Sequence, residues 1–265
     1  MIERFKPAGH KAQELSAIVM PDEAFKPIQR VIDTTLGQYD KTIGYLYQGI
    51  EYTPGVVGDV VLSRGFLCGT NGEIRTNITE WREYERNDTE NPIKWFIPPA
   101  PIILELCYRT QHEDTVVSRE AQQSWHKTLN PKTWWLRTST ITTYNNGQAR
   151  VRHNWSISAG SIPVPEDNNI DLSDDNTPVV NNFLRAILGK RSYSMQHVFG
   201  QYCSSMQLWT PSNNYTAKRV LVLGVSSGGR FVIDANDYIS NLRPARGVAV
   251  AKKLLTDKRY EVRDD

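Results

Sequence analysis

No apolar run in this chain is long; the densest are Ile102 to Leu104 and Val220 to Val225. A membrane-spanning helix needs roughly 20 apolar residues in a row, so none is expected. The 17 glycines and 14 prolines interrupt the remaining apolar residues. Short apolar segments between such breakers read as strands joined by tight turns. The expected class is therefore α+β and β-rich, with a few short helices.

Strands are expected at Tyr45 to Tyr47, Val56 to Leu62, Thr133 to Arg137, Ala149 to Ile157, Gln207 to Thr210, Arg219 to Val225, Arg230 to Ile233 and Gly247 to Ala251. In one of them Val151, His153, Trp155 and Ile157 alternate with Arg152, Asn154, Ser156 and Ser158. That period of two predicts one buried face. Asn71-Gly72, Asn145-Asn146-Gly147 and Ser226 to Gly229 supply turns. Helices are expected at about Pro27 to Leu36, at Ser118 to Leu129 with Ser118 as cap, and at Pro178 to Leu188. For the last, Thr177 suits the cap, Pro178 the first position and Gly189 the end. Trp95 to Leu104 is broken by Pro98, Pro99 and Pro101 and reads as an edge strand or polyproline segment.

Residues 1–20 read as a polar extended arm, 80–93 as an exposed charged segment, and the tail from Lys252 as exposed mixed charge. The acidic stretch 162–178 reads as a loop and the best candidate boundary. The expected organisation is an N-terminal attachment region, 1–130, and a C-terminal region, 131–265.

The formal charge is only +2, which gives no electrostatic reason to expect nucleic acid. Cys68, Cys107 and Cys203 are odd in number and far apart, so neither a disulfide framework nor a zinc site is expected. The N-terminus carries no secretory pattern, which predicts synthesis and folding in a cytoplasm. Four Asn-x-Ser/Thr triplets, at Asn77, Asn87, Asn154 and Asn214, then read as polar turns. Seven tryptophans and twelve tyrosines supply either a large aromatic core or an adhesive surface.

Each catalytic motif fails on a named residue. Gly224-Val225-Ser226-Ser227-Gly228 matches a nucleophile elbow, but an elbow needs a following helix and a later histidine. Arg230 to Ile233 reads as a strand, and the last histidine is His197. A phosphate loop needs Gly-Lys-Ser/Thr entering a helix, and this corner ends in Gly229-Arg230. Asp167, Asn169, Asp171, Asp174 and Asp175 are oxygen-rich, so Asp167, Asn169 and Asp171 are candidate calcium ligands. The calcium-loop pattern breaks at Leu172 and Pro178, and no metal or other cofactor is expected. His10, His112, His126, His153 and His197 contain no metal-binding pair on one helix turn.

Two stretches carry a resemblance. Trp134-Trp135-Leu136-Arg137-Thr138-Ser139 is the first. The second runs from Leu208-Trp209-Thr210-Pro211-Ser212 through Arg219 to Val222 and Ser226 to Gly229, ending in Leu242-Arg243-Pro244-Ala245-Arg246-Gly247-Val248. Together they resemble the C-type-lectin-like fold of bacterial and phage proteins, over residues 205–251 and again at 133–160. The resemblance implies a mixed sheet with two short helices in the C-terminal half, with Trp209 packing against the closing strand Gly247 to Ala251. It gives structural roles to Trp135, Trp209, Gly228 and Arg243. Polar loops would form the contact surface, with Ser212, Asn213, Asn214, Tyr215 and Lys218 as candidate binding residues. The calcium motifs and disulfide cysteines of animal lectins are absent, so sugar binding is not carried over.

The implied function is non-catalytic: a phage virion protein, tail or host-recognition related. It would bind other virion proteins, copies of itself and a host surface receptor, with no nucleic-acid or membrane partner. The alternatives are a capsid or decoration protein built as a jelly-roll-like β-sandwich, and an enzyme whose pocket gathers the histidines and acids.

Overall fold

The computed structural model describes residues 25–35, 41–132, 135–153, 160–173, 177–212 and 215–263. The first part holds β1 (Gln29–Asp33), β2 (Lys41–Thr53), β3 (Val56–Phe66) and the short pairs β4 (Cys68–Gly69), β5 (Gly72–Glu73) and β6 (Arg75–Thr76). Three helices follow: α1 (Ile78–Arg86), α2 (Ala100–Gln111) and α3 (Val116–Thr128). Next come β7 (Leu136–Asn145), β8 (Gln148–Arg152), β9 (Ile162–Pro163), β10 (Asn169–Asp171), α4 (Pro178–Leu188) and α5 (Met195–Phe199). The last are β11 (Ser205–Trp209), β12 (Ala217–Val225), β13 (Arg230–Tyr238), β14 (Arg243–Pro244), β15 (Arg246–Val250), α6 (Ala251–Leu254) and β16 (Tyr260–Arg263). The class is α+β and strand-rich.

The strands form two large sheets. One has the order β15-β3-β2-β1-β16 and is antiparallel throughout. The other has the order β10-β11-β13-β12-β7-β8-β9, with one parallel pair, β11 with β13. Its edge strands β9 and β10 are consecutive in the chain, and only six residue steps separate Pro163 from Asn169. Six steps reach about 21 Å at most. A flat seven-stranded sheet is about 29 Å across at about 4.8 Å per strand. The sheet therefore curls.

Helix α2 packs against β2 of one sheet and β7 of the other, and against α3, α4 and α5. Ala100, Ile102, Ile103, Leu104, Leu106, Cys107, Tyr108 and Thr110 are all buried, so the helix is covered nearly all round. One apolar cluster runs from Tyr45, Tyr47 and Leu62 through α2 to Leu208, Phe231 and Ile233. The opposite face of the five-stranded sheet buries Val31, Leu46 and Val61 against Trp81 and Tyr84 of α1, Trp95, Ile97 and Leu254.

Several expectations are corrected. Residues 29–33 form a strand, not part of a helix; Ile28, Val31 and Ile32 share helical spacing, but β1 is paired on both sides and buried on both faces. Leu36 and Gly37 lie outside the described residues. The prolines before α2 do not mark an edge strand. Pro99 is the N-cap residue and Pro101 lies in the first turn, where a helix has no use for the missing N–H. Phe96 contributes a single bridge, to Val248. Helix α3 starts earlier than expected, capped by Thr115 in a reciprocal pair with Ser118. Segment 80–93 is not all exposed, because α1 buries Trp81 and Tyr84; its N-cap is Asn77, which accepts from Thr79 and Glu80 N–H.

The acidic stretch is not one loop, since it contains β9 and β10. Nor is the tail simply exposed: Tyr260 is buried and β16 pairs with β1. The division at 130/131 does not separate the sheets, because β1, β2 and β3 share one with β15 and β16. The expected packing of Trp209 on the closing strand also fails, since β15 pairs with β3 in the other sheet. The two sheets do not form a jelly-roll sandwich either, because α2 lies between them. Helix α4, its Thr177 cap and its Gly189 end are as expected. Among the described residues no helix is long and apolar enough to cross a membrane.

The position of α2 makes a direct prediction. Ile103 is fully buried in the shared core. Ile103→Ala should lower unfolding free energy by about 2–5 kcal/mol, measured by urea titration.

Candidate recognition surface

Register places side chains in rows across the curled sheet. Trp209 of β11 is opposite Asp234 of β13, which is opposite Val222 of β12, which is opposite Arg137 of β7. In the neighbouring row, Gly224 leaves room for Trp135; a Cβ there would meet the indole at 2.9 Å. Trp135 therefore lies over the sheet and reaches Trp209, with ring centroids 5.3 Å apart. Both tryptophans are half-buried. The guanidinium of Arg243 sits 5.6 Å from the Trp135 ring.

Beside this pair is a buried charge network. Asp237 lies at ion-pair distance from Arg137, 3.2 Å, and from Arg243, 2.9 Å. It also accepts from the Asn241 side chain at 2.6 Å, and Arg137 donates to the Asn241 carbonyl. Asp234 is different: among the described residues its hydrogen bond comes from the Asn236 N–H at 2.8 Å, and no cation lies within ion-pair distance. Burial pushes its carboxyl up to about 7, opposed by the Asn236 bond and reinforced by Asp237.

The network holds the turn that follows β13. That turn displays Tyr238, Ile239 and Leu242, exposed by 55%, 40% and 56%, beside Tyr215 at 46%. Three of the large apolar side chains that are exposed among the described residues thus fall within five positions of the chain. Arg219 joins the two tyrosines: its guanidinium lies 5.2 Å from the Tyr215 ring and 4.3 Å from that of Tyr238. Its Nε donates to Asn236 Oδ1 at 3.0 Å, so the stack is fixed from below. Arg219 thus anchors the two tyrosines to β13 through Asn236.

The structure brings together Trp135, Trp209 and Arg243, three residues for which the resemblance implied structural roles without naming their contacts. Tyr215 lies at the Arg219 stack and is exposed; Lys218 and Ser212 are exposed, and the Ser212 carbonyl accepts from Tyr215 N–H at 3.0 Å. Asn213 and Asn214 lie outside the described residues. Gly228 is in the hairpin turn, but Gly229 is the residue in the left-handed region, with φ 74°. Ser226 is followed by β13 and accepts from Arg230 N–H, so the corner is a turn and no nucleophile elbow. Asp167, Asn169 and Asp171 are exposed, and Asp171 already accepts from Ser173. Asp174 and Asp175 lie outside the described residues. Among the described residues no group of three His, Cys, Asp or Glu could hold a metal.

The histidines do not converge on a pocket. His153 Nε2 meets the Ala186 carbonyl at 2.9 Å, so it carries the proton; Nδ1 then accepts from Thr140 at 3.0 Å. Burial holds its pKa below the usual imidazole value. The rings of His112 and His197 lie 5.9 Å apart elsewhere, tilted by 58°. Tyr238, Ile239, Leu242 and Arg219 were missed by sequence reasoning. The available signal was apolar residues stranded in the polar segment Asp237-Tyr238-Ile239-Ser240-Asn241-Leu242.

Comparison of the chain with family models, curated proteins and solved structures finds no match.

The raised Asp234 value has a sign that can be checked. Between about pH 4 and 7 the folded chain holds a proton that the unfolded chain releases. Stability should fall with rising pH across that window and level off above it. Asp234→Asn keeps the acceptor for Asn236 and removes the charge. It should raise the melting temperature at pH 8 and change it little at pH 4, as read by thermal denaturation.

Proposed function

We propose that this chain is a non-catalytic binding and assembly protein whose contact surface is the patch of Tyr215, Tyr238, Ile239 and Leu242. The carrying observation is that Arg219 joins the exposed Tyr215 and Tyr238, and that the turn carrying the exposed Ile239 and Leu242 directly follows Tyr238 and is fixed by the Arg137–Asp237–Arg243 network. Tyrosines paired through an arginine are among the residue types enriched at protein-binding hot spots. Together with the resemblance of residues 205–251 to C-type-lectin-like phage and bacterial proteins, this supports a virion role, in a tail or in host recognition. The partners are then copies of the chain and other virion proteins, with a host receptor as a further target.

Two measurements test this. Light scattering on the purified chain should give an oligomer, and Tyr238→Glu with Leu242→Glu should convert it to monomer without changing the melting temperature. A wild-type monomer at every concentration, or a variant that assembles normally, overturns the patch. Mass spectrometry of purified particles from the same source should find the chain in them; its absence overturns the virion role.

A further inference from the structure

A cleft of about 890 Å³ opens beside α2, lined by its residues Pro101, Ile102, Glu105 and Arg109. Its origin is a split between β1 and β2. The strands pair from Asp33 to Gln29, with a register shift between Val31 and Ile32, but the N–H of Ile28 goes to the Glu113 carboxylate, at 2.9 and 3.0 Å, and the chain leaves the sheet. Strand β2 continues to Thr53 with β3 as its partner. The gap has an apolar floor of Pro99, Pro101, Ile102 and Leu188, with Phe25 on one wall and Tyr52 on the other.

The charges of the wall are unequal in availability. Glu105 is shared by Arg109 and Arg191, both within cation–π distance of Phe25 at 4.6 and 5.8 Å. Arg109 also donates to the carbonyls of Gln48 and Gly49. Asp59 accepts from Gly49 N–H, and Glu51 from Gly55 N–H, each at 3.0 Å. The acids are thus committed to groups of the wall itself. Lys26 has no ion-pair partner among the described residues. Among the described residues Lys190 has one ion pair, with Glu51 at 3.3 Å, and its side chain is 75% exposed. Such a surface pair contributes little and is readily exchanged. Four cations (Lys26, Arg109, Lys190, Arg191) face three carboxylates (Glu51, Asp59, Glu105), a balance of one positive charge. His153 at the floor is neutral in its hydrogen-bonded tautomer.

We infer that this cleft is a binding site for a small apolar carboxylate, its hydrocarbon or aromatic body on the proline floor and its single anion between Lys26 and Lys190. The size is in the range of pockets that enclose small molecules. A neutral apolar ligand would leave the lysines unanswered. A dianion would meet repulsion from Glu51 and Asp59. The site is separate from the tyrosine patch, so either can fail without the other.

The test is calorimetric titration of the full chain with decanoate below its micelle concentration, with decanol as the uncharged probe. One site per chain is expected, with decanol at least tenfold weaker. Lys26→Glu with Lys190→Glu should weaken decanoate at least tenfold and leave the melting temperature unchanged. Thr53→Trp, an exposed position on the rim, should block binding in a folded protein. Absence of saturable binding, equal affinity for decanol and decanoate, or undiminished binding by the charge-reversed variant would each overturn the inference.

Discussion

Everything in this molecule is built around a helix that is buried on all but one narrow stripe, Pro101, Glu105 and Arg109, which lines the cleft. Helix α2 touches both sheets and three other helices, so neither sheet can bury its inner face without it. A helix apolar on nearly all sides is stable only inside a core, because exposed it would place its apolar surface in water. Its entry over Pro98, Pro99 and Pro101 fixes the direction of the chain before the first turn begins. The same entry supplies the floor of the cleft. Core packing and concave surface thus have one origin.

The second constraint is where the charges go. Arg137 and Asp237 are buried on the face of the curled sheet away from α2, and each alone would be costly there. They are tolerated because Asp237 gathers Arg137, Arg243 and Asn241, which also fixes the turn after β13. Energy spent on desolvating this group is returned as rigidity of the turn that displays Tyr238, Ile239 and Leu242. Asp234 lies next to the network yet outside its ion pairs, and it responds by holding its proton. Arg246 follows another route, laying its guanidinium 4.2 Å from the Trp125 ring and donating to the Ser63 carbonyl.

Local chemistry was legible where it acts locally. The Thr177-Pro178 start and Gly189 end of α4, the turn at Asn146-Gly147 and the turn at Ser226 to Gly229 all depend on residues within one turn of each other. The failure of Ser226 as an elbow was equally readable, because it needed only the strand character of Arg230 to Ile233. Of the candidate site, Tyr215, Trp135, Trp209 and Arg243 were identified, but not what they touch. Strand β1 was misread because burial on both faces produces apolar spacing that resembles one face of a helix. Helix α2 was misread because proline reports a missing donor without saying whether a strand or a first helical turn is tolerating it.

By itself, then, the sequence determined a β-rich α+β class, the positions of most turns and the breaks in every catalytic motif. Those depend on short-range sterics and on residue identity. Tertiary structure alone decided that residues 29–66 share a sheet with 246–263, that Trp135 crosses to Trp209 over Gly224, and that β1 parts from β2 to open the cleft. These are pairings between segments far apart in the chain. Their energies come from burial and register, which no local pattern encodes.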